Sequence, residues 1–309
     1  MYRFIDLFCG IGGFRVSLEK QGMKCVFSSD SDKNVQEAYY RNFGDKPEGD
    51  ITEIPEKTIP AHDILCAGFP CQSFSISGNR GGVQDDRGRL FYEIVRIAQY
   101  HQPQILLLEN VKNILSISGG AVVETIKDKL DEIGYHLDLH VLNASHFGIP
   151  QARERVYFVC IRKNVKELKY KPPKKTLIKK YLSDILEEKV SDSLYINRND
   201  IVITKENVEH DLKPIRIGII NKGGQGERIY SPYGHAITLS AYGGGAGAKT
   251  GLYLVEDKIR RLSIQECKKL MGFSPNHYVS NGIQGYKQLG NAVMPPMITS
   301  VYGSIKITT

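Results

Sequence analysis

No apolar run in the 309 residues approaches the roughly 20 needed to cross a bilayer, so a helical membrane span is excluded. The chain runs at once into Phe4-Ile5-Asp6-Leu7-Phe8, leaving no room for a signal peptide. Six cysteines stand at 9, 25, 66, 71, 160 and 267, with no C-x-x-C pair among them. Neither a zinc ribbon nor a dithiol redox site is expected; reduced thiols in a cytosolic protein are. Repeats and low-complexity tracts are absent. Nor does one charge dominate: 41 Lys and Arg against 34 Asp and Glu leave +7, which suits a polyanionic partner. The length is sufficient for one large α/β domain and a smaller one.

What is present begins with strand, glycine turn and helix. Residues 3 to 8 read as a strand, Cys9-Gly10-Ile11-Gly12-Gly13 as a turn, and Phe14 and Leu18 mark one face of a helix stopped by Gly22. Glycines let the backbone approach a ligand closely, so the unit is suited to cradling a nucleotide. Residues 25 to 29 form a second strand ending at Asp30, placed to accept hydrogen bonds from ribose hydroxyls. Asp30 and Asp32 are equally placed to cap the next helix, where Val35, Ala38, Tyr39 and Phe43 recur before Gly44. Asp50-Ile51 follows a further turn and faces the same pocket in this reading.

Asp63 to Ala67 reads as a short buried strand leading into Gly68-Phe69-Pro70-Cys71-Gln72-Ser73-Phe74-Ser75. Cys71 is thereby presented at a strand's carboxyl end, beside a polar, glycine-rich stretch: a position for a nucleophile, or for one more small buried thiol. Ile105-Leu106-Leu107-Leu108 is a central-strand candidate ending in Glu109-Asn110-Val111. A carboxylate there is expensive to hide, and its desolvation fits it to carry a proton; a helix cap or solvated acid is the bland alternative. In a parallel sheet the glycine turn, Asp30, Cys71 and Glu109 share one edge. Arg153 and Arg155 alternate in Gln151-Ala152-Arg153-Glu154-Arg155 and on a strand would share a face, either as a solvated edge or as two guanidinium forks.

Lys163 to Lys180 holds eight lysines and reads as a basic linker. Beyond it, strand–helix alternation lapses, and glycine-rich loops carry Gln225, Arg228, Tyr230 and Tyr242. Such loops bring polar planar groups against base edges. A short helix near Leu270 and an apolar terminal helix close the chain, the latter packing back on the first domain.

The ordered stretches DLFCGIGGF, GFPCQSFS, ENV, QARERVY, RRLSIQECKKLMGF and QLGNAV resemble the motifs of DNA (cytosine-C5) methyltransferases, spanning residues 4 to 296. Residues 221 to 255 are similar to the recognition region of the family's GCGC-methylating members. The resemblance implies a Rossmann-like, S-adenosylmethionine-dependent α/β fold over 1–180 and 285–309. It further implies a smaller target-recognition domain over 181–262 and a hinge over 263–284. Phe8, Gly10, Gly12, Gly13, Asp30, Asp50, Ile51, Pro70, Leu90, Asn291 and Ala292 would then bind the cofactor. Cys71 would attack C6 of a flipped cytosine in double-stranded DNA, Glu109 would serve N3, and Arg153 and Arg155 would hold the base and the Glu109 side. Ser77 and Gln225 would fill the gap in the duplex, and Arg228, Tyr242 and Gly245 would contact the site. A monomer suffices, and a restriction endonuclease acting on the same site is the implied counterpart. Two departures stand out: Asp30-Ser31 where close members have Glu-Trp, and Ala246-Gly247 in place of bulkier residues. A tRNA methyltransferase, a non-catalytic DNA-binding relative and a nicotinamide oxidoreductase are the rival readings.

Overall fold

Ile105 to Leu108 are all but fully buried, and the strand they open lies between two others, as so apolar a run requires. The structure, a computed structural model, describes residues 1–70, 89–176, 178–206 and 208–307. Cys71 and Ser77 lie outside the described residues. The chain divides into two units, Met1–Leu142 with Glu154–Pro173 and Pro295–Thr309, and Asn143–Arg153 with Lys174–Met294.

Seven strands come first along the chain: β1 (Arg3–Leu7), β2 (Lys24–Ser29), β3 (Ile64–Gly68), β4 (Ile105–Val111), β5 (Tyr135–Asn143), β6 (Gln151–Ala152) and β7 (Glu154–Arg162). All but β6 form one sheet in the order β2-β1-β3-β4-β7-β5. The chain steps from β1 to one side for β2 and to the other for β3, the switch point outside which open α/β sheets hold ligands. β1 to β4 are parallel, but β7 runs antiparallel to β4, so the sheet is mixed rather than wholly parallel. Residues 144–153, which lead into β7, are too few to carry a crossover helix.

Helices α1 (Gly13–Lys20), α2 (Lys33–Phe43), α3 (Arg89–His101) and α4 (Ala121–Glu132) alternate with these strands. Local signals set both ends of α2. Asp32 accepts the Asn34 N–H at the start of α2, and Gly44, at φ 76°, ends it in the left-handed conformation that glycine adopts without cost. Ile5, Leu7, Leu65, Leu106 and Leu108 of the sheet pack with Phe91 and Ile94 of α3 and Ile126 and Leu130 of α4 in one core.

In the second unit β9 (Ile201–Ile203), β10 (Ile215–Ile220), β11 (Arg228–Ser231), β13 (Leu252–Val255) and β14 (Lys258–Arg260) form a five-stranded sheet over Ile217, Ile220, Ile229, Leu252 and Ile259. The two-residue β12 (Ala236–Ile237) pairs with β6. Helices α5 (Ile264–Met271) and α6 (Gly282–Asn291) belong to this unit too. The buried ion pair of Arg260 with Glu266 fastens α5 to β14.

The chain then returns to the first unit, as its apolar end requires. α7 (Pro295–Tyr302) packs on α1, with Ser17 and Thr299 sharing a hydroxyl hydrogen bond of 2.8 Å. The lysine-rich stretch holds a short strand, β8 (Leu168–Tyr170), which pairs antiparallel with β15 (Ile305–Ile307). It is therefore only partly a linker.

Candidate active site

The turn after β1 is built from unusual backbone. Phe8, Gly10 and Gly12 take φ of 53°, 54° and 84°. The Gly10 N–H donates to Asp30 Oδ2 at 3.0 Å, and the Asp32 N–H donates to Asp30 Oδ1, also at 3.0 Å. Asp30 thus braces the turn while Asp32 caps α2, which separates the two roles that the spacing left open. Burial pushes the Asp30 carboxyl up from its usual range, against the lowering effect of those two N–H donors. Among the described residues nothing lies within 4 Å of where a Cβ on Gly10 would stand, so open space meets the turn there. Asp50 caps a short turn through the Thr52 N–H, and buried Ile51 follows it. Two residues earlier Glu48 pairs with the end of β2, its N–H on Ser28 O and its carbonyl on the Asp30 N–H.

Gly12 is the tightest point. A Cβ there would sit 2.3 Å from Phe43, whose ring is held by Tyr39 at 4.5 Å and covered by the Arg15 guanidinium at 4.5 Å. Arg15, which sequence reasoning passed over, also binds Glu19 and Asp45 at 2.7 Å each. Its only prior signal was its place immediately after the glycine turn and Phe14. Gly12→Ala should lower stability by about 1–3 kcal/mol, from the left-handed backbone and the displaced ring. Thermal melting that leaves the midpoint unchanged would remove this account of the turn.

The second strand end is chemically distinct. Glu109 lies inside β4 rather than after it, in register with Gly68 of β3 and Tyr157 of β7. It is 7 % exposed, and its Oε1 faces Arg155 Nε at 3.1 Å. A buried carboxylate is thus compensated by a half-buried guanidinium. Asn110, also missed as a site residue, donates from Nδ2 to Phe69 O at 3.0 Å and accepts the Val111 N–H on Oδ1. It therefore fixes the backbone immediately before Pro70, which is exposed. Leu90, in the first turn of α3, is half-buried.

Arg153 and Arg155 do not share a strand face. The chain leaves the β6 ladder at Arg153 and enters β7 at Glu154, and the alternation rule holds only along a continuous strand. Arg153 is 2 % exposed and donates to the carbonyls of Leu239, Gly290 and Ala292. Of the recognition candidates, Gln225, Arg228, Tyr242 and Gly245 are all exposed, Tyr242 at 70 %. Their two loops meet backbone to backbone: the Gly247 N–H donates to Gly226 O at 2.7 Å. Asn291 is exposed and Ala292 buried.

The five described cysteines, 9, 25, 66, 160 and 267, are free thiols. Burial pushes each of them up, Cys25 to about 12, so they remain protonated and inert.

Solved structures share this architecture. The Dnmt2 methyltransferase of S. pombe superposes with a TM-score of 0.74, 20 % identity and coverage of 98 % of this chain and 97 % of that one. A Spodoptera frugiperda DNMT2 mutant gives 0.75 at 19 % identity, covering 98 % and 99 %. The fold is that of the mixed α/β methyltransferases. The C-5 cytosine-specific DNA methylase family profile matches residues 2–307. The Type II methyltransferase M.HhaI of Haemophilus parahaemolyticus is 50 % identical over 295 residues, covering 94 % of this chain and 90 % of that protein. M.MspI of Moraxella sp is 39 % identical, covering 99 % and 71 %. The chain belongs to the C-5 cytosine-specific DNA methylase family and is a cytosine-C5 DNA methyltransferase.

Proposed function

We propose that the chain methylates C5 of a cytosine flipped out of double-stranded DNA, within GCGC, through an adduct on Cys71. The observation that carries this reading is the ion pair of buried Glu109 with half-buried Arg155, one strand over from Gly68 and the stretch that leads to Cys71. Thiolate chemistry falls to Cys71 because burial raises every described thiol, four of the five being buried. The GCGC assignment rests on the resemblance of residues 221–255.

The glycine turn fits S-adenosylmethionine: open space meets Gly10, and Asp30 spends one hydrogen bond on each oxygen, so it retains acceptor capacity for a ribose. Phe8, Gly12, Gly13, Asp50, Ile51, Pro70 and Leu90 are assigned with it, and the same carry-over assigns Asn291 and Ala292. When bound, the cofactor supplies an electrophilic methyl group as a sulfonium. The target carbon is stacked inside the duplex, so flipping is required and costs a few kcal/mol. The Cys71 sulfur forms a bond to C6, and the electron pair moves toward N3 and C5. Glu109 holds a proton or hydrogen bond at N3, and Arg155 holds Glu109 in place. Once C5 carries the methyl group, loss of its proton to a base restores the double bond and expels the thiolate. Ser77, Gln225, Arg228, Tyr242 and Gly245 are assigned to the DNA. A partner endonuclease cutting the same site completes the reading, and the enzyme acts as a monomer.

Bisulfite sequencing of unmethylated plasmid after incubation with enzyme and S-adenosylmethionine should show one protected cytosine in each GCGC. Protection at another motif would retire the specificity and keep the chemistry. No protection, with cofactor bound, would favour the tRNA or the non-catalytic reading. Glu109→Gln should keep DNA binding and lose roughly 10²–10⁴-fold in turnover, the range for a positioned proton carrier. Turnover near wild type would remove Glu109 from the chemistry.

A further inference from the structure

Arg153 is a buried cation whose three shown hydrogen bonds all go to backbone carbonyls. Nη2 donates to Gly290 O at 3.1 Å and to Ala292 O at 2.9 Å, while Nη1 reaches Leu239 O at 3.4 Å. Gly290 lies in the last turn of α6, where carbonyls lack helical partners and the helix end favours a cation. Arg153 supplies both. Two residues earlier, Gln151 accepts the Leu239 N–H on Oε1 at 3.3 Å and donates to Leu270 O at 3.2 Å. Leu239 is therefore clamped through its N–H by one side chain and through its carbonyl by the other. The two clamped segments also touch directly. A Cβ on Gly290 would lie 2.5 Å from Ala241 N and 2.8 Å from Ser240 C.

We propose that Arg153 is a positioning residue. It ties the turn carrying Asn291 and Ala292 to the root of the loop carrying Tyr242 and Gly245, so that cofactor affinity and site discrimination depend on one guanidinium. The inference rests on the functional reading above, in which the first segment meets S-adenosylmethionine and the second meets DNA. It replaces a base-contacting role for Arg153. A lysine cannot reproduce the planar fork that reaches three carbonyls, so it rescues only in part.

Calorimetry of S-adenosylmethionine binding without DNA, alongside steady-state kinetics, separates the roles. Arg153→Gln should weaken cofactor binding at least about ten-fold, from carbonyls left without a donor. KM for the cofactor should rise with it, and kcat at saturating cofactor should stay within about three-fold, the pattern of lost positioning. Discrimination between GCGC and a site with one base changed should fall, with Arg153→Lys intermediate. Gly290→Ala, which forces apart the same segments without touching a charge, should give the same pattern and decides the matter if Arg153→Gln does not fold. Wild-type cofactor affinity with a collapsed kcat in Arg153→Gln would overturn the proposal in favour of base contact. So would unaltered affinity and discrimination in Gly290→Ala. A wild-type enzyme that binds no S-adenosylmethionine would instead remove the functional reading beneath it.

Discussion

Cys71→Ser should abolish methyl transfer, with a loss of at least about four orders of magnitude in turnover. A thiol is a few per cent ionised at neutral pH and strongly nucleophilic, whereas a serine hydroxyl needs an adjacent base to attack carbon. Glu109, paired with Arg155, is assigned to N3 of the base rather than to position 71. An oligonucleotide carrying 5-fluorocytosine provides a second readout. Fluorine at C5 cannot leave as a proton does, so wild-type enzyme should remain covalently attached on a denaturing gel and Cys71→Ser should not. Turnover by the serine variant within a hundred-fold of wild type would remove Cys71 as the nucleophile.

The largest effect on stability is expected at Arg260. Its guanidinium meets Glu266 through two bonds, Nη1 to Oε2 at 2.9 Å and Nη2 to Oε1 at 2.7 Å, with the side chains 2 % and 0 % exposed. Glu266 also accepts the Ser263 N–H at 2.8 Å and the Glu187 N–H at 2.9 Å. Ser263 answers by accepting the Glu266 N–H, a reciprocal cap on α5. Arg260→Ala leaves that carboxylate buried without its cation and should cost about 3–5 kcal/mol. Removing both charges as Arg260→Met with Glu266→Leu should cost less than the two single changes added together, because no lone charge remains. Urea denaturation measures both. A single substitution costing under about 1 kcal/mol would mean that solvent reaches the pair, contrary to its burial.

Legibility in the sequence followed the range of the interactions. The glycine turn, the ends of α2 and the strand at Ile105 were legible because each depends on neighbours along the chain: a backbone conformation, a cap, an apolar run. Asp30 and Glu109 were found as acids at strand ends, but local pattern gave the partner of neither, and Arg155 was set beside Glu109 only by the family resemblance. Gly10 lies twenty residues from Asp30, and Arg155 lies across an antiparallel ladder that no local pattern announces. Arg153 and Arg155 were paired by a two-residue period that assumes an unbroken strand, and the break between β6 and β7 sends them into different work. β8 hid among lysines because three residues are too few for a period. The RRLSIQE stretch was quoted as a motif, yet its physical reason, a bidentate buried pair, emerges only in three dimensions.

The return of residues 295–307 to the first unit governs how the molecule can be made. While the chain is being synthesised, α1 and β8 have emerged long before α7 and β15, which cover them. The first unit cannot close until residues 295–307 have left the ribosome, whereas Lys174–Met294 supplies nearly all of the second unit without that last stretch. Contacts between residue 17 and residue 299 carry the full loop-closure entropy of the chain between them, which slows their formation and leaves apolar surface uncovered in the interval. Closure of the first unit of this methyltransferase therefore waits on residues 295–307, and that interval leaves the nascent protein open to aggregation.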